Sequence, residues 1–156
     1  MRIRPVIKRD IPQIIKLISD IWAEYDCILD TNIEEKYLLA PDVYFRQQDG
    51  EFWIVEEDNK IFATVAIMML DEKTAELKSL YVHKNFRKQG LGEKLTELAI
   101  NFARKKGRNK INLWSDTRFT KAHRLYERLG FERFGKRELH DLNNSVEFGF
   151  KRKMVV

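Results

Sequence analysis

The apolar positions of this chain fall into short runs whose period changes along its length. "IRPV" near the start reads as a short strand. Ile11, Ile14, Ile15, Ile18, Ile21 and Trp22 then recur at spacings of three and four, which predicts a helix with one buried face. Asp10, three residues ahead of Gln13, marks its start, with Pro12 tolerated in the first turn. "TNIEEKYLLA" predicts a second short helix that stops before Pro41. "EFWIVEE" and "KIFATVAIMML", joined by "DN", predict an antiparallel hairpin, and "TAELKSLYV" a further strand. Strict alternation along that strand puts Glu76, Lys78 and Leu80 on one face and Leu77, Ser79 and Tyr81 on the other.

The period then returns to that of a helix. Leu91, Leu95, Leu98, Ala99, Phe102 and Ala103 form one stripe and Gly107 supplies a stop. "INLWS" follows as a strand, and Ala122, Leu125, Tyr126 and Leu129 form the stripe of another helix ending at Gly130. "FERFGKREL" and "SVEFGFKRK" predict a final strand pair. The order is β-α-α-β-β-β-α-β-α-β-β, with no repeat and no Gly-, Pro- or Ser-rich linker, so residues 1–156 are expected to form one domain of the α/β (α+β) class.

Composition narrows the picture. The single cysteine, Cys27, excludes an internal disulfide and a cysteine-based zinc cage, and His83, His123 and His140 are too scattered to suggest a metal. The start "MRIRPVIKRDI" lacks an apolar leader, which leads to an expected cytoplasmic location, and "IFATVAIMML" is too short to cross a bilayer. The net charge is +5, yet residues 17–35 hold Asp20, Glu24, Asp26, Asp30, Glu34 and Glu35 with no lysine or arginine. The chain is electrically two-sided: an acidic segment suits a cationic partner, and equally the solvated faces of exposed helices.

The chemistry concentrates in "RKQGLGEKL", residues 87–95, where a basic loop with two glycines runs into a helix start. The first N–H groups of a helix lack intrahelical partners and carry the positive end of its dipole, so such a junction suits a phosphate. The spacing is R-x-x-G-x-G, neither the dinucleotide pattern G-x-G-x-x-G nor the triphosphate loop G-x-x-x-x-G-K-[ST]. Taken alone it also describes an ordinary loop.

With its context it resembles the GCN5-related N-acetyltransferase (GNAT) family. "RKQGLG" resembles the family's [RQ]-x-x-G-x-[GA] loop at Arg87, Gly90 and Gly92; "AHRLYERLGF" resembles its A-x-x-x-Y-x-x-x-G-[FY] helix; "AELKSLYV" resembles the preceding strand, with Glu76 eleven residues ahead of Arg87. The resemblance covers essentially the whole chain, residues 17–50 in layout only. "LWSDTRFTKAHRLYERLGF" and "LHDLNNSVEFGF" are similar to a bacterial subgroup found alone or behind a MarR-type DNA-binding domain, for which this chain has no room.

The resemblance implies a mixed, mostly antiparallel sheet of about seven strands flanked by helices, and acetyl-CoA as cosubstrate with no metal. It implies that the backbone at Leu80, Tyr81 and Val82 holds the pantetheine arm, that Arg87, Lys88, Gln89, Gly90, Leu91 and Gly92 hold the pyrophosphate, and that Lys121, with Lys88 and Arg124, meets the 3'-phosphate. Glu76 becomes the candidate base for an incoming amine and Tyr126 the candidate acid for the departing thiolate, with direct attack in a ternary complex. Each has a second reading, Glu76 as a solvated strand residue and Tyr126 as a core aromatic. Phe119 stands where many family members have an asparagine that contacts the pantetheine arm. The first two helices would form the acceptor side, with Trp22, Glu24, Tyr25 and Asp26 as candidate contacts for an amine, cationic or neutral, of a small molecule or protein. A homodimer is common in the family. Two other functions are compatible with the residues: an acyl-CoA sensor without turnover, and a nucleic-acid binder, which rests on net charge alone.

Overall fold

The computed structural model describes residues 1–32 and 35–154. Seven strands, β1 (Arg2–Pro5), β2 (Glu51–Glu57), β3 (Lys60–Met69), β4 (Thr74–Val82), β5 (Lys110–Asp116), β6 (Glu132–Glu138) and β7 (Val146–Lys153), form one sheet in the order β1-β2-β3-β4-β5-β7-β6. Every pairing is antiparallel except β4 with β5. Four helices, α1 (Ile11–Ala23), α2 (Pro41–Tyr44), α3 (Leu91–Lys105) and α4 (Thr120–Arg128), complete the element order that the periodicity predicts.

The sheet separates two cores. α3 lays Leu91, Leu95, Ala99, Ile100 and Ala103 against Val65, Ile67, Leu77, Ile111 and Leu113, while α1 lays Ile14, Leu17, Ile18, Ile21 and Trp22 against Phe52, Ile54, Ala66 and Met68. The β2–β3 hairpin turns on Asp58 (φ 51°) and Asn59 (φ 64°), the left-handed pair that a two-residue turn with matching twist requires.

Three local expectations are corrected. Asp10 does not cap α1; its carboxylate accepts the Ile7 N–H at 2.8 Å and a fork from Arg4 at 2.8 and 2.9 Å, so it closes the turn ahead of the helix. Gln13 bonds the hairpin instead, donating to Asn59 O and accepting from the Ile61 N–H. Pro41 does not end a helix but begins α2, a first-turn position where its missing N–H costs nothing, and Lys36–Leu39 before it form a 3-10 turn.

The third correction shapes the cleft. Ser79 has φ 54°, and the β3–β4 register slips there, Ala66 facing Lys78 and Thr64 facing Tyr81. This β-bulge resets the alternation: Tyr81 joins Glu76 and Lys78 on the α1 face, while Leu80 joins Leu77 on the α3 face. β4 also bends away from β5, pairing with it only over Thr74–Glu76, so that from Leu77 to Val82 it has no strand partner on that side. No helix among the described residues is long and apolar enough to cross a membrane.

Candidate active site

The divergence of β4 from β5 opens a cavity of about 510 Å³ that reaches from the start of α3 to the side chains below α1. At one end, β4 passes through the turn Lys84–Phe86, pinned by Phe86 stacking on Phe62 at 3.9 Å, into the glycine loop. Gly90 caps α3 in the left-handed region (φ 77°) with no side-chain cap, so the first-turn N–H groups of Leu91, Gly92 and Glu93 face the cavity without intrahelical partners. A side chain at Gly90 would meet no atom within 4 Å; the backbone angle is what favours glycine there. At Gly92 a Cβ would lie 2.9 Å from Leu125 Cδ2, so α4 packs against the bare first turn of α3. Lys88, Lys121, Arg124 and Arg128 line this end.

Not every predicted contact reaches the cavity. Gln89 is exposed and off its wall. Arg87 lines it, but its guanidinium is engaged: Nε donates to Val82 O at 2.8 Å and the two terminal nitrogens grip the Glu24 carboxylate at 2.8 and 2.9 Å. That fork holds the Glu24 carboxyl below the usual carboxylate range. A predicted pyrophosphate contact and a predicted acceptor contact are therefore paired with each other, strapping the end of α1 to the loop. Backbone at Leu80, Tyr81 and Val82 forms the open strand edge between the two ends.

The other end is aromatic and charged. Trp22 Nε1 donates to Tyr81 Oη at 3.0 Å, and Phe119 closes the wall with its ring 4.9 Å from Tyr25 and 6.1 Å from Trp22. The residue that departs from the family pattern thus packs in the aromatic wall. Asp26 is exposed and outside the lining, and Glu34 lies outside the described residues. Asp20 pairs with Lys16 at 3.0 Å, and of the acidic side chains of segment 17–35 among the described residues Glu35 is the one that lines the cavity. Cys27 is buried and donates to Tyr25 O, which makes it a packing residue.

Glu76 and Tyr126 both line the cavity. Tyr126 is 6% exposed between Phe131 and Phe150, its hydroxyl has no partner among the described residues, and burial pushes its pKa well above the ordinary tyrosine value, so the phenol keeps its proton at neutral pH. Glu76 is half-buried. Around it stand residues that spacing did not identify: Tyr37, whose pKa burial raises; Lys78, its ammonium 4.8 Å over the Tyr37 ring; and Glu147, raised by burial although Arg137 grips it at 2.7 Å. Ser79 Oγ is buried there without a hydrogen-bond partner. Lys78 was visible on the Glu76 face by alternation; nothing local marked Tyr37 or Glu147.

The cleft thus joins a sheet opened where β4 leaves β5, a basic glycine loop and bare helix start at one end, and ionisable side chains at the other. The model of the acetyltransferase (GNAT) family matches residues 13–131, and the chain belongs to that family. Human N-acetyltransferase 8 is 28% identical over 121 residues, covering 74% of this chain and 52% of the human protein, so the chain spans about half the length of that curated relative. An acetyltransferase from Streptococcus agalactiae superposes with a TM-score of 0.87 at 22% identity, covering 98% of both chains. The structure of yncA from Salmonella typhimurium with its cofactor acetyl-CoA superposes with a TM-score of 0.76 at 18% identity, covering 99% of this chain and 94% of that one.

Proposed function

We propose that the protein is an acetyl-CoA-dependent N-acetyltransferase acting on a primary amine by direct attack in a ternary complex. The observation that carries this reading is the open edge of β4 from Leu77 to Val82, which leads through the turn Lys84–Phe86 and the glycine loop to the uncapped start of α3 at Gly90. An extended ligand with an amide-bearing arm and a pyrophosphate fits both features, the first by adding as a strand and the second on helix N–H groups. Family membership supports it, as does the acetyl-CoA bound to the Salmonella protein.

When bound, acetyl-CoA supplies an acyl group activated as a thioester. The chain's own residues do the rest. Lys88, Lys121 and Arg124 give the coenzyme end its positive field, with the 3'-phosphate as their target. Backbone N–H groups at Leu80 and Val82 hold the arm and polarise the carbonyl. Glu76 takes the proton from the incoming ammonium, directly or through one water, because an amine of pKa about 10 arrives protonated at neutral pH. Tyr126 gives its retained proton to the sulfur that leaves. The Trp22, Tyr25 and Phe119 wall flanks the acceptor, and Glu24 acts on the loop through Arg87 instead of touching the amine.

The test is amine-dependent release of free thiol from acetyl-CoA, measured for wild type, Glu76→Gln and Tyr126→Phe beside coenzyme binding by titration. Turnover lost in both variants with binding kept is the expected result. Binding without turnover of any amine in wild type would instead favour an acyl-CoA sensor.

A further inference from the structure

The acceptor end of the cavity carries more charge than a simple amine needs, and nearly all of it is internally matched. Asp116 is held by Arg118 at 2.8 Å and Glu147 by Arg137 at 2.7 Å. Asp141 turns to the Ser145 N–H at 2.7 Å and Glu35 to the Asp30 N–H at 3.3 Å. Two charges remain. Glu76 and Lys78 each line the cavity, half-buried, and neither makes a hydrogen bond or ion pair with a described residue. The Lys78 ammonium lies over the face of Tyr37 at 4.8 Å.

These two charges share one face of β4 at a separation of two residues, roughly 6–7 Å along a strand. Beside them, Ser79 is 9% exposed, and its hydroxyl, close to the Tyr37 phenol, makes no hydrogen bond of good geometry. The Tyr37 phenol lines the same wall. Three donors, the ammonium of Lys78 and the hydroxyls of Ser79 and Tyr37, thus stand next to one candidate base. The Glu76 and Glu147 carboxylates keep Lys78 charged from a distance without contacting its ammonium, so its donors stay open to an anion delivered by the ligand.

We infer that the acceptor is a short zwitterion, a primary amine that bears its own carboxylate, with the carboxylate held by Lys78, Ser79 and Tyr37 while its ammonium faces Glu76. This rests on the acetyltransferase reading and names the substrate class for the same site. It narrows the expectation, drawn from the acidic segment 17–35, of an amine that a negative field attracts; within that segment Glu24 is paired with Arg87 and Asp26 is exposed. The acetyl transfer itself is unchanged: one ammonium proton passes to Glu76, the amine nitrogen bonds to the acyl carbon, and the carbon–sulfur bond breaks as Tyr126 protonates the sulfur. The second nitrogen proton is lost to the Tyr126 phenolate as the amide forms, and the acceptor carboxylate stays ionised throughout.

The experiment pairs amines that differ only in this group: free amino acids, including β- and γ-amino acids, against their amides and decarboxylated amines, with acetyl-CoA and thiol release as the readout. At least one free acid is expected to exceed its amide by about tenfold or more in kcat/KM, since a site built for a polar group rejects the analogue that lacks it. In Lys78→Met that ratio should fall toward one, mainly through KM, and Lys78→Arg should restore part of it. A rise in melting temperature with acetyl-CoA in each variant marks a folded protein with its coenzyme site intact. Amides or decarboxylated amines used as well as the acids, a preference that survives Lys78→Met, or no turnover of any acid while acetyl-CoA still raises the melting temperature, would each overturn the zwitterion. Absence of a coenzyme shift in wild type would remove the acetyltransferase reading itself, and this inference with it.

Discussion

The end of the cleft assigned to the coenzyme runs along one stretch of chain, Leu80 to Glu93, with a second contribution from α4, and offers a strand edge and a helix start beside basic side chains. The end assigned to the acceptor gathers side chains from α1, the turn at 36–39, β4, β5, β6 and β7, segments up to 126 residues apart from Ile21 to Glu147. The first needs only a glycine that tolerates φ 77° and a helix that starts there. The second needs the whole sheet to be in register before any two of its residues meet. Backbone recognition of this kind suits a ligand common to many proteins, and side-chain recognition suits one particular to this chain.

The comparison predicts that substitutions at the two ends separate binding from chemistry. The largest effect belongs to the residues between them. Glu76→Gln and Tyr126→Phe are each expected to lower kcat by roughly 10²–10⁴-fold, the usual reach of a proton-transfer group, with coenzyme affinity nearly unchanged by titration. A fall in affinity matching the fall in kcat would mean that the ends are not separable. Tyr126 also carries a pH signature: its raised pKa means that the stability from keeping the phenol neutral is complete below the unfolded value of about 10 and declines as pH rises beyond it. Thermal melts between pH 9 and 11 should therefore fall less steeply for Tyr126→Phe than for wild type.

Next in size is the coenzyme end. Gly90→Val puts a β-branched side chain at φ 77° and is expected to cost roughly 1–3 kcal/mol of stability and to abolish the melting shift caused by acetyl-CoA. The smallest effect lies where the ends are joined. Glu24→Gln loosens the strap but leaves Arg87 its bond to Val82 O, so coenzyme affinity should fall by only a few fold, about 1 kcal/mol. Because Arg87 holds the Glu24 carboxyl down, the strap's contribution is present above the unfolded value of about 4.3 and is lost as pH falls through the lower folded value. Acid melts below pH 5 should show wild type converging on Glu24→Gln.

The same contrast decides what could be read from the chain. The glycine loop, the α3 stripe from Leu91 to Ala103 and the Asp58–Asn59 hairpin are local patterns, and local patterns survive folding. The bulge at Ser79 had no such mark: a non-glycine residue took the left-handed angle inside a run that alternates cleanly, so Leu80 and Tyr81 exchanged faces against expectation. Pro41 was legible as a boundary but not as the start of one, since proline fits either side of a helix end. Arg87 was legible as a cation, but its partner Glu24 lies 63 residues away. Lys78 was legible as a neighbour of Glu76 and became a candidate only when the surrounding charges proved to be paired off.

Everything downstream depends on the coenzyme end, and the most direct measurement there is the melting temperature of wild type and Gly90→Val with and without acetyl-CoA. At a hundredfold excess over its dissociation constant a ligand adds about 2.7 kcal/mol. For a chain of this length that is a rise of roughly 5 to 10 °C. A rise in wild type that Gly90→Val lacks is the predicted result. No rise in a folded wild type, or an equal rise in both, would contradict the claim that the β4 edge and the α3 start form the site.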